Sequence, residues 1–489
     1  MSAHRSKWTA LLLLPKILIW VMWTSATQAS ALPERQAVAI TEVTVIDLER
    51  DRSIGPRTVL VDDGRIVSIT APRDARIPVA AQRVDGRGRF LIPGLVDMHV
   101  HLFNNHSRRP PNDWTFPLFI ANGVTSIREM NAAVASISLV NRWRKCLDDG
   151  ELAAPRILAA GVSVRGTSPD DAVRQVDAAA DAGVDFIKVF SEVPDSNWHA
   201  ILNESRTRTL PVVGHAPAGV SLLGSANEGQ RSNEHLMQAF EACSSTEDQL
   251  LEERRGLDGD ALLALRDRQE LRALETFDWN TCRRIGKSLA STGQVQVPTL
   301  VLPYEESIRN SGASNNDPRS RYLRADELAR WKRLLASLTP SDLLPAQRRW
   351  QVARKIVLTF HRAGVTMLSG TDAPMPGVYP GFSLHEEMAL LVKAGLTPRE
   401  ALLSATLGPA KFFGITAESG SVAVGKRADL VLLDGDPTRN ISNTRRVRAV
   451  LLDGRLLRRA ALDALLEAAA GQLQVPKTNE PQQSCVGLK

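Results

Sequence analysis

Across residues 90–415, short apolar runs rich in β-branched residues alternate with stretches of helical periodicity, and this alternation restricts the fold more than any other feature. Strand-like runs cover 90–101, 124–130, 156–164, 184–190, 211–216, 232–236, 295–302 and 366–373. Helical stretches at 169–183, 195–208, 279–293 and 347–364 separate several of them. Eight strands with helical crossovers predict a closed parallel barrel. A doubly wound open sheet is the alternative, but no Gly-x-Gly-x-x-Gly follows a strand. Two β-rich segments flank this middle. Runs at 38–48, 58–61 and 65–69 precede it, and runs at 420–422, 428–433, 447–452 and 455–457 follow it. The turns Asp62-Asp63-Gly64 and Asp453-Gly454 punctuate them. The expected fold class is α/β: a (β/α)8 TIM-type barrel with a small β-sandwich domain built from both ends of the chain.

The corresponding division is a signal peptide at 1–31, an N-terminal β-sandwich segment at 32–92, the barrel at 93–415, a C-terminal β-sandwich segment at 416–460, and a final helix with a polar tail at 461–489. At the N-terminus, Arg5, Lys7 and Lys16 form a basic region, residues 17–23 are apolar, and Ala29-Ser30-Ala31 offers a cleavage site. Pro15 and Lys16 interrupt the apolar stretch, so it is short for a membrane span. The chain is therefore expected to be exported, periplasmic or secreted, with no stable membrane anchor after cleavage. The formal charge of +6 falls to +3 without that segment, and no basic cluster with interleaved aromatics suggests nucleic acid. None of Cys146, Cys243, Cys282 and Cys485 lies in a Cys-x-x-Cys motif, which removes thiolate zinc and redox motifs from consideration. Pairing of Cys243 with Cys282 is open. Two long connections, 238–278 and 303–346, follow strands on the C-terminal side and are expected as lids or substrate walls.

The polar residues that matter sit at predicted strand ends. His99 and His101, at i and i+2, end the first strand and share a face. Lys188 lies among apolar residues on the fourth, His215 ends the fifth, His235 follows Glu234 on the sixth, and Asp372 ends the eighth. Barrel active sites occupy this mouth. Each residue alone has an ordinary structural explanation; together they form a divalent-metal donor set.

These residues carry a resemblance. Pro93-Gly94-Leu95-Val96-Asp97-Met98-His99-Val100-His101, Phe186-Ile187-Lys188-Val189, Gly214-His215-Ala216, Glu234-His235 and Ser369-Gly370-Thr371-Asp372-Ala373 resemble the amidohydrolase superfamily, specifically its imidazolonepropionase-like and Xaa-Pro dipeptidase-like members. The runs Leu396-Thr397-Pro398-Arg399-Glu400-Ala401-Leu402 and Gly420-Ser421-Val422-Ala423-Val424-Gly425-Lys426-Arg427-Ala428-Asp429-Leu430 also match. The resemblance implies two divalent metal ions. His99, His101 and Asp372 would bind one, His215 and His235 the second, and Lys188 would bridge them as its CO2 carbamate. Zinc is the expected ion. The implied reaction is hydrolysis of an amide or peptide bond by metal-bound hydroxide, with Asp372 as general base and then acid.

The expected substrate is a small dipeptide or N-acyl amino acid. Superfamily deaminases place a Glu three residues after the fifth-strand histidine, where this chain has Ala218, so deamination is disfavoured. Related loops carry Gly-Gly-His after the third strand, whereas this chain reads Gly161-Val162-Ser163-Val164-Arg165-Gly166. A cyclic amide, lactone or ester hydrolase on the same site is the alternative, and a metal-stabilised non-catalytic binding protein is an alternative of another class. Substrate-contact candidates are Arg128, which suits a carboxylate, Tyr304 and Tyr379. His106 and Arg165 lie in mouth-side loops, and His385 is read as structural. A homo-oligomer is compatible with the resemblance, which fixes no symmetry.

Overall fold

The structure is a computed structural model that describes residues 32–103, 110–308, 317–336 and 343–472. The signal segment, His106, Cys485 and the polar tail lie outside the described residues. No helix among the described residues is long and apolar enough to cross a membrane.

Seven parallel strands form the barrel: β6 (Leu95–Val100), β7 (Val124–Ala132), β8 (Arg156–Ser163), β9 (Phe186–Val189), β10 (Val212–Gly214), β11 (Ser232–Glu234) and β12 (Val295–Val297), adjacent in sequence order. Here β6 and β9 to β12 are buried throughout, as parallel strands covered on both faces must be. Helices between them pack outside. Helix Pro169–Asp181 starts on a Ser168 cap with Pro169 in its first turn. Helix Trp279–Thr292 starts on Asp278 and stops at Gly293 in the left-handed conformation. The Thr397-Pro398-Arg399-Glu400 run of the quoted motif forms a capping box on helix Pro398–Ser404.

The eighth strand expected at 366–373 does not form. That segment pairs with its neighbours through isolated parallel bridges, Gln296 with Met367 and Val100 with Ala373, and through main-chain bonds such as Leu368 N–H to the Gln296 carbonyl and Met98 N–H to the Ser369 carbonyl, each at 2.9 Å. The reason is local. The amide N–H groups of Thr371 and Asp372 both donate to the His99 carbonyl, at 3.3 and 2.8 Å, and Asp372 turns into the left-handed region with φ 68°. The barrel is nearly closed, and its closing segment is shaped to turn a side chain inward rather than to extend the ladder.

The remaining strands form one mixed sheet. β1 (Val38–Asp47), β2 (Arg52–Asp62), β3 (Arg65–Thr70), β4 (Gln82–Asp85) and β5 (Phe90–Pro93) come from one end of the chain. β13 (Leu430–Leu433), β14 (Val447–Leu452) and β15 (Arg455–Arg458) come from the other. The order is β15-β14-β13-β5-β1-β2-β3, with β4 on β1. The expected sandwich is thus one continuous sheet around a core that includes Ile40, Val59, Ile66, Leu430 and Leu451. The run 420–422 forms no strand. The junction of β5 with β13 joins the two ends of the chain beside the entry to β6. One predicted strand, 90–101, therefore divides at Gly94 into a β5 that serves the small sheet and a β6 that serves the barrel.

Cys243 and Cys282 form a disulfide across 39 residues of sequence. It links the base of the 238–278 connection to helix Trp279–Thr292, reinforcing the Ser244–Phe277 bridge and the bond from Asp278 N–H to the Cys243 carbonyl at 2.8 Å. Replacing both cysteines by serine is expected to lower stability by about 2–4 kcal/mol in denaturant unfolding. An unchanged unfolding midpoint in the double variant would show that the link does not constrain the chain.

Candidate metal centre

Backbone register places the donors. The amide of His101 donates to the Ala373 carbonyl, that of His215 to Val189, and that of His235 to Val297, each at 2.9 Å. His235 itself takes φ 60°, a conformation that is costly for a non-glycine residue and typical of functional positions. Two glycines permit the crowding. A Cβ on Gly214, at φ 121°, would lie 2.7 Å from Lys188 Cδ and 2.3 Å from the Val189 carbonyl oxygen. A Cβ on Gly370 would lie 2.9 Å from His99 Cβ and 3.0 Å from His99 N. Any side chain there would push the eighth segment off the first strand.

His99, His101 and Asp372 bring their donor atoms within 4.8 Å of one another. Asp372 Oδ1 is 2.7 Å from His101 Nε2 and 3.1 Å from His99 Nε2. The rings of His99 and His101 are 5.2 Å apart, those of His99 and His235 4.6 Å, and those of His215 and His235 5.1 Å. The four imidazoles therefore form a continuous group. Lys188 is fully buried, with Nζ 5.0 Å from the Phe190 ring centre, and Phe190 in turn packs edge-on against His215 at 4.9 Å.

The protonation states suit metal ligation. Burial pushes His235 down to about 3, and burial, with Lys188 and His235 nearby, holds His215 well below the usual imidazole value. Both are neutral near pH 7, as metal ligands must be. Burial pushes the Lys188 ammonium down to about 8. For Asp372, burial favours the protonated form, but the imidazoles of His101, His235 and His99 outweigh it and hold the carboxyl well below its ordinary range. The ring contacts fix which nitrogens face inward. The Thr299 hydroxyl donates to the Pro298 carbonyl at 2.9 Å and so accepts from His235 Nδ1 at 2.8 Å. His215 Nδ1 meets the Ser191 hydroxyl at 3.1 Å.

Two buried nitrogens in this group, His99 Nε2 and Lys188 Nζ, have no hydrogen-bond partner. Buried polar atoms are rarely left so. A donor set of imidazoles, one carboxylate and an orphaned amine fits divalent metal, and His99, His101 and Asp372 are the residues already close enough to share an ion.

The predicted substrate contacts are placed differently. Arg128 is fully buried inside the barrel and committed to it. It donates to both oxygens of Glu234 at 2.9 and 3.0 Å, to Ser232 Oγ at 3.1 Å and to the Met98 carbonyl at 2.6 Å. It does not meet a substrate carboxylate, because its donors are spent on the protein. Tyr304 is half-buried and packs edge-on against Trp350, with Lys393 over its ring. Tyr379 is buried between Trp331 and the Arg319 guanidinium. Both tyrosines anchor the walls rather than face the metal group. Arg165 pairs with Glu192, and His385 is buried between Thr444 and the Asn122 carbonyl.

A cavity of about 550 Å³ opens over His215, His235 and Asp372. Phe240, Arg266 and Glu270 of the 238–278 connection and Pro303 and Glu306 of the 303–346 connection line it. Arg349 joins the two walls by pairing with Glu270 and, at 2.9 Å, with Glu306.

Three buried carboxylates escaped the sequence reading. Asp97 accepts from the amides of His99 and Thr371 and from the Thr371 hydroxyl, at 3.1, 3.0 and 2.6 Å. Glu234 accepts from His99 Nδ1 at 2.9 Å. Glu387 accepts from the Val301 amide at 2.9 Å and so braces the loop that carries Thr299. The adjacency of Asp97 and Glu234 to the candidate ligand histidines His99 and His235 was the available signal.

A model of the Amidohydrolase family matches residues 319–457. Imidazolonepropionase of Vibrio cholerae is 25% identical over 429 residues, covering 82% of this chain and 93% of that protein. Adenine deaminase 2 of Shouchella clausii is 27% identical over 176 residues, 32% of this chain, and the match spans only 30% of that protein. Among solved structures, a bottromycin amidohydrolase superposes with TM-score 0.67 at 23% identity, covering 90% of this chain and 91% of that one. An Xaa-Pro dipeptidase with bound methionine superposes with TM-score 0.62 at 20% identity, covering 86% of this chain and 100% of that one.

Burial pushes the Glu387 carboxyl up to about 8 from an ordinary 4.5. The folded state therefore holds a proton that the unfolded chain releases. This contribution to stability is complete below about 4.5 and is lost as pH rises through about 8. Glu387→Gln is expected to remove that loss, gaining on the order of 1–3 kcal/mol over the parent between pH 5 and 9 in urea unfolding of metal-free protein. Parallel pH profiles for the two proteins would contradict the assignment.

Proposed function

We propose that this chain, a member of the amidohydrolase superfamily, is a hydrolase that cleaves an amide or peptide bond with two divalent metal ions held at the barrel mouth. The observation that carries the reading is the pair of buried, unpartnered nitrogens, His99 Nε2 and Lys188 Nζ, inside one group of imidazoles and a carboxylate. His99, His101 and Asp372 would hold one ion, and His215 and His235 the second. Lys188 would link them after its neutral amine adds CO2. That step would form one N–C bond, release one proton and leave a carbamate anion whose oxygens could serve as metal ligands. A buried amine pushed down to about 8 is neutral often enough near physiological pH to react. Zinc suits this donor set.

Such ions, when bound, lower the pKa of a coordinated water and polarise the substrate carbonyl. The protein's own residues do the rest. Asp372 is held ionised by the surrounding imidazoles, and its left-handed backbone directs the carboxylate at the rings of His99 and His101. It can accept the proton of the attacking water and return it to the leaving nitrogen. Thr299 and Ser191 fix the rings of His235 and His215. Phe240, Pro303 and Leu302 supply the apolar wall that limits water around the scissile bond.

The likeness to an Xaa-Pro dipeptidase and to an amidohydrolase supports a dipeptide or N-acyl amino acid as substrate. The Cys243–Cys282 disulfide supports export to an oxidising compartment.

The test is amine release from pooled dipeptides and N-acyl amino acids by the chain without residues 1–31, loaded with zinc and bicarbonate. Asp372→Asn is expected to lower kcat by about 10²–10⁴-fold. Parental turnover in that variant would remove Asp372 from the proton path. A metal-loaded parent that releases no amine would exclude the amide and peptide reading, and a parent that binds no metal would exclude the centre itself.

A further inference from the structure

The four imidazoles differ in what stands behind them. His215 and His235 are backed by the hydroxyls of Ser191 and Thr299. His99 is backed by a carboxylate, Glu234 Oε2, at 2.9 Å from Nδ1. Glu234 is fully buried and takes hydrogen bonds from three sides. Arg128 Nη2 donates to both of its oxygens, the Ser232 hydroxyl donates to Oε1 at 2.5 Å, and His99 completes the set. An ionised carboxylate only accepts, so His99 Nδ1 carries the hydrogen of this bond and Nε2 is the nitrogen left to face a metal. Nε2 is the atom left without a hydrogen-bond partner, 3.1 Å from Asp372 Oδ1.

Arg128 is itself fully buried and held by further contacts. Its Nε donates to the Met98 carbonyl at 2.6 Å, and its guanidinium lies between the rings of Phe186 and Phe412, 5.9 and 5.5 Å from their centres. The chain of contacts from Phe186 and Phe412 through Arg128 and Glu234 to His99 runs across the barrel interior and ends at one donor atom. No comparable carboxylate among the described residues backs His215 or His235.

We propose that Glu234, locked by Arg128, is a positioning residue that makes the His99–His101–Asp372 site the tight metal site, so that the two ions load in order. This rests on the binuclear reading above. A carboxylate behind an imidazole fixes the tautomer and raises the basicity of the ligating nitrogen. The first site also includes the carboxylate of Asp372. The second offers two imidazoles until Lys188 acquires CO2, whereas the first already has three protein donors, so occupancy of the second depends more strongly on bicarbonate.

The experiment is equilibrium titration of metal-free protein with Zn²⁺ against a chromophoric chelator, with and without bicarbonate. Parental protein is expected to show two affinity classes, of which the weaker responds the more strongly to bicarbonate. Glu234→Gln is expected to weaken the tight class by about 10–100-fold and to leave the weak class in place. Because that variant strands the Arg128 charge, Arg128→Met with Glu234→Gln is measured alongside and is expected to show the same selective loss with its unfolding midpoint retained. Tight-class affinity unchanged in both variants overturns the proposal. Equal weakening of both classes also overturns it, since that marks a general structural role. A parent that binds two ions with one common affinity overturns the loading order alone, whereas a parent that binds none overturns the binuclear reading as well.

Discussion

One buried carboxylate, Asp97, braces the segment that closes the barrel, beside main-chain bonds from Met98 to Ser369 and from His101 to Ala373. Where an eighth strand would complete the ladder, Asp97 on the first strand instead takes the amide and hydroxyl of Thr371 and the amide of His99. Burial pushes its carboxyl up to about 7, an effect that these three donors only partly offset. The arrangement trades a regular strand for a sharp turn, and that turn delivers Asp372 to His99 and His101. Removing the Asp97 contacts would loosen the turn at Thr371 that presents Asp372 to His99 and His101. The same contacts thus serve both fold closure and site assembly.

Around this point the molecule is graded from rigid to adjustable. The barrel interior is fixed by Arg128 and Glu234, a buried pair whose separation would leave an uncompensated charge. The imidazoles are held by single hydrogen bonds to hydroxyls or a carboxylate. The cavity walls are joined by half-exposed ion pairs such as Arg349 with Glu306, which contribute little individually and are screened by salt. The small sheet seals the other end of the chain path through β5 and β13. Chemistry would thus take place on a stiff floor beneath walls whose charged contacts can be rearranged.

Much of this was legible in the sequence, for a physical reason. Parallel strands bury both faces, so a His, Lys or Asp that ends such a run stands out against Val, Ile and Leu. The signal at His99, His101, Lys188, His215, His235 and Asp372 is of this kind; the structure brings the donor atoms of His99, His101 and Asp372 together, with the rings of His235 and His215 adjoining. What was not legible depends on contacts between distant residues. Arg128 reads as a carboxylate binder, and it does bind one, but Glu234 is 106 residues away in sequence and belongs to the protein. Tyr304 and Tyr379 are close to the mouth in sequence yet turn toward Trp350 and Trp331. The missing eighth strand depends on a left-handed Asp372, which β-propensity does not encode. The disulfide required the 238–278 connection to return to its starting point, a matter of tertiary geometry alone.

In the function proposed above, two ions share this group of side chains with a modified lysine between them. Crystals grown with zinc and bicarbonate and measured on both sides of the zinc absorption edge test it most directly. The account predicts two anomalous peaks, one among His99, His101 and Asp372 and one beside His215 and His235, with three additional atoms continuous with Lys188 Nζ. A single peak, or two peaks beside an unmodified Lys188 amine, would contradict it.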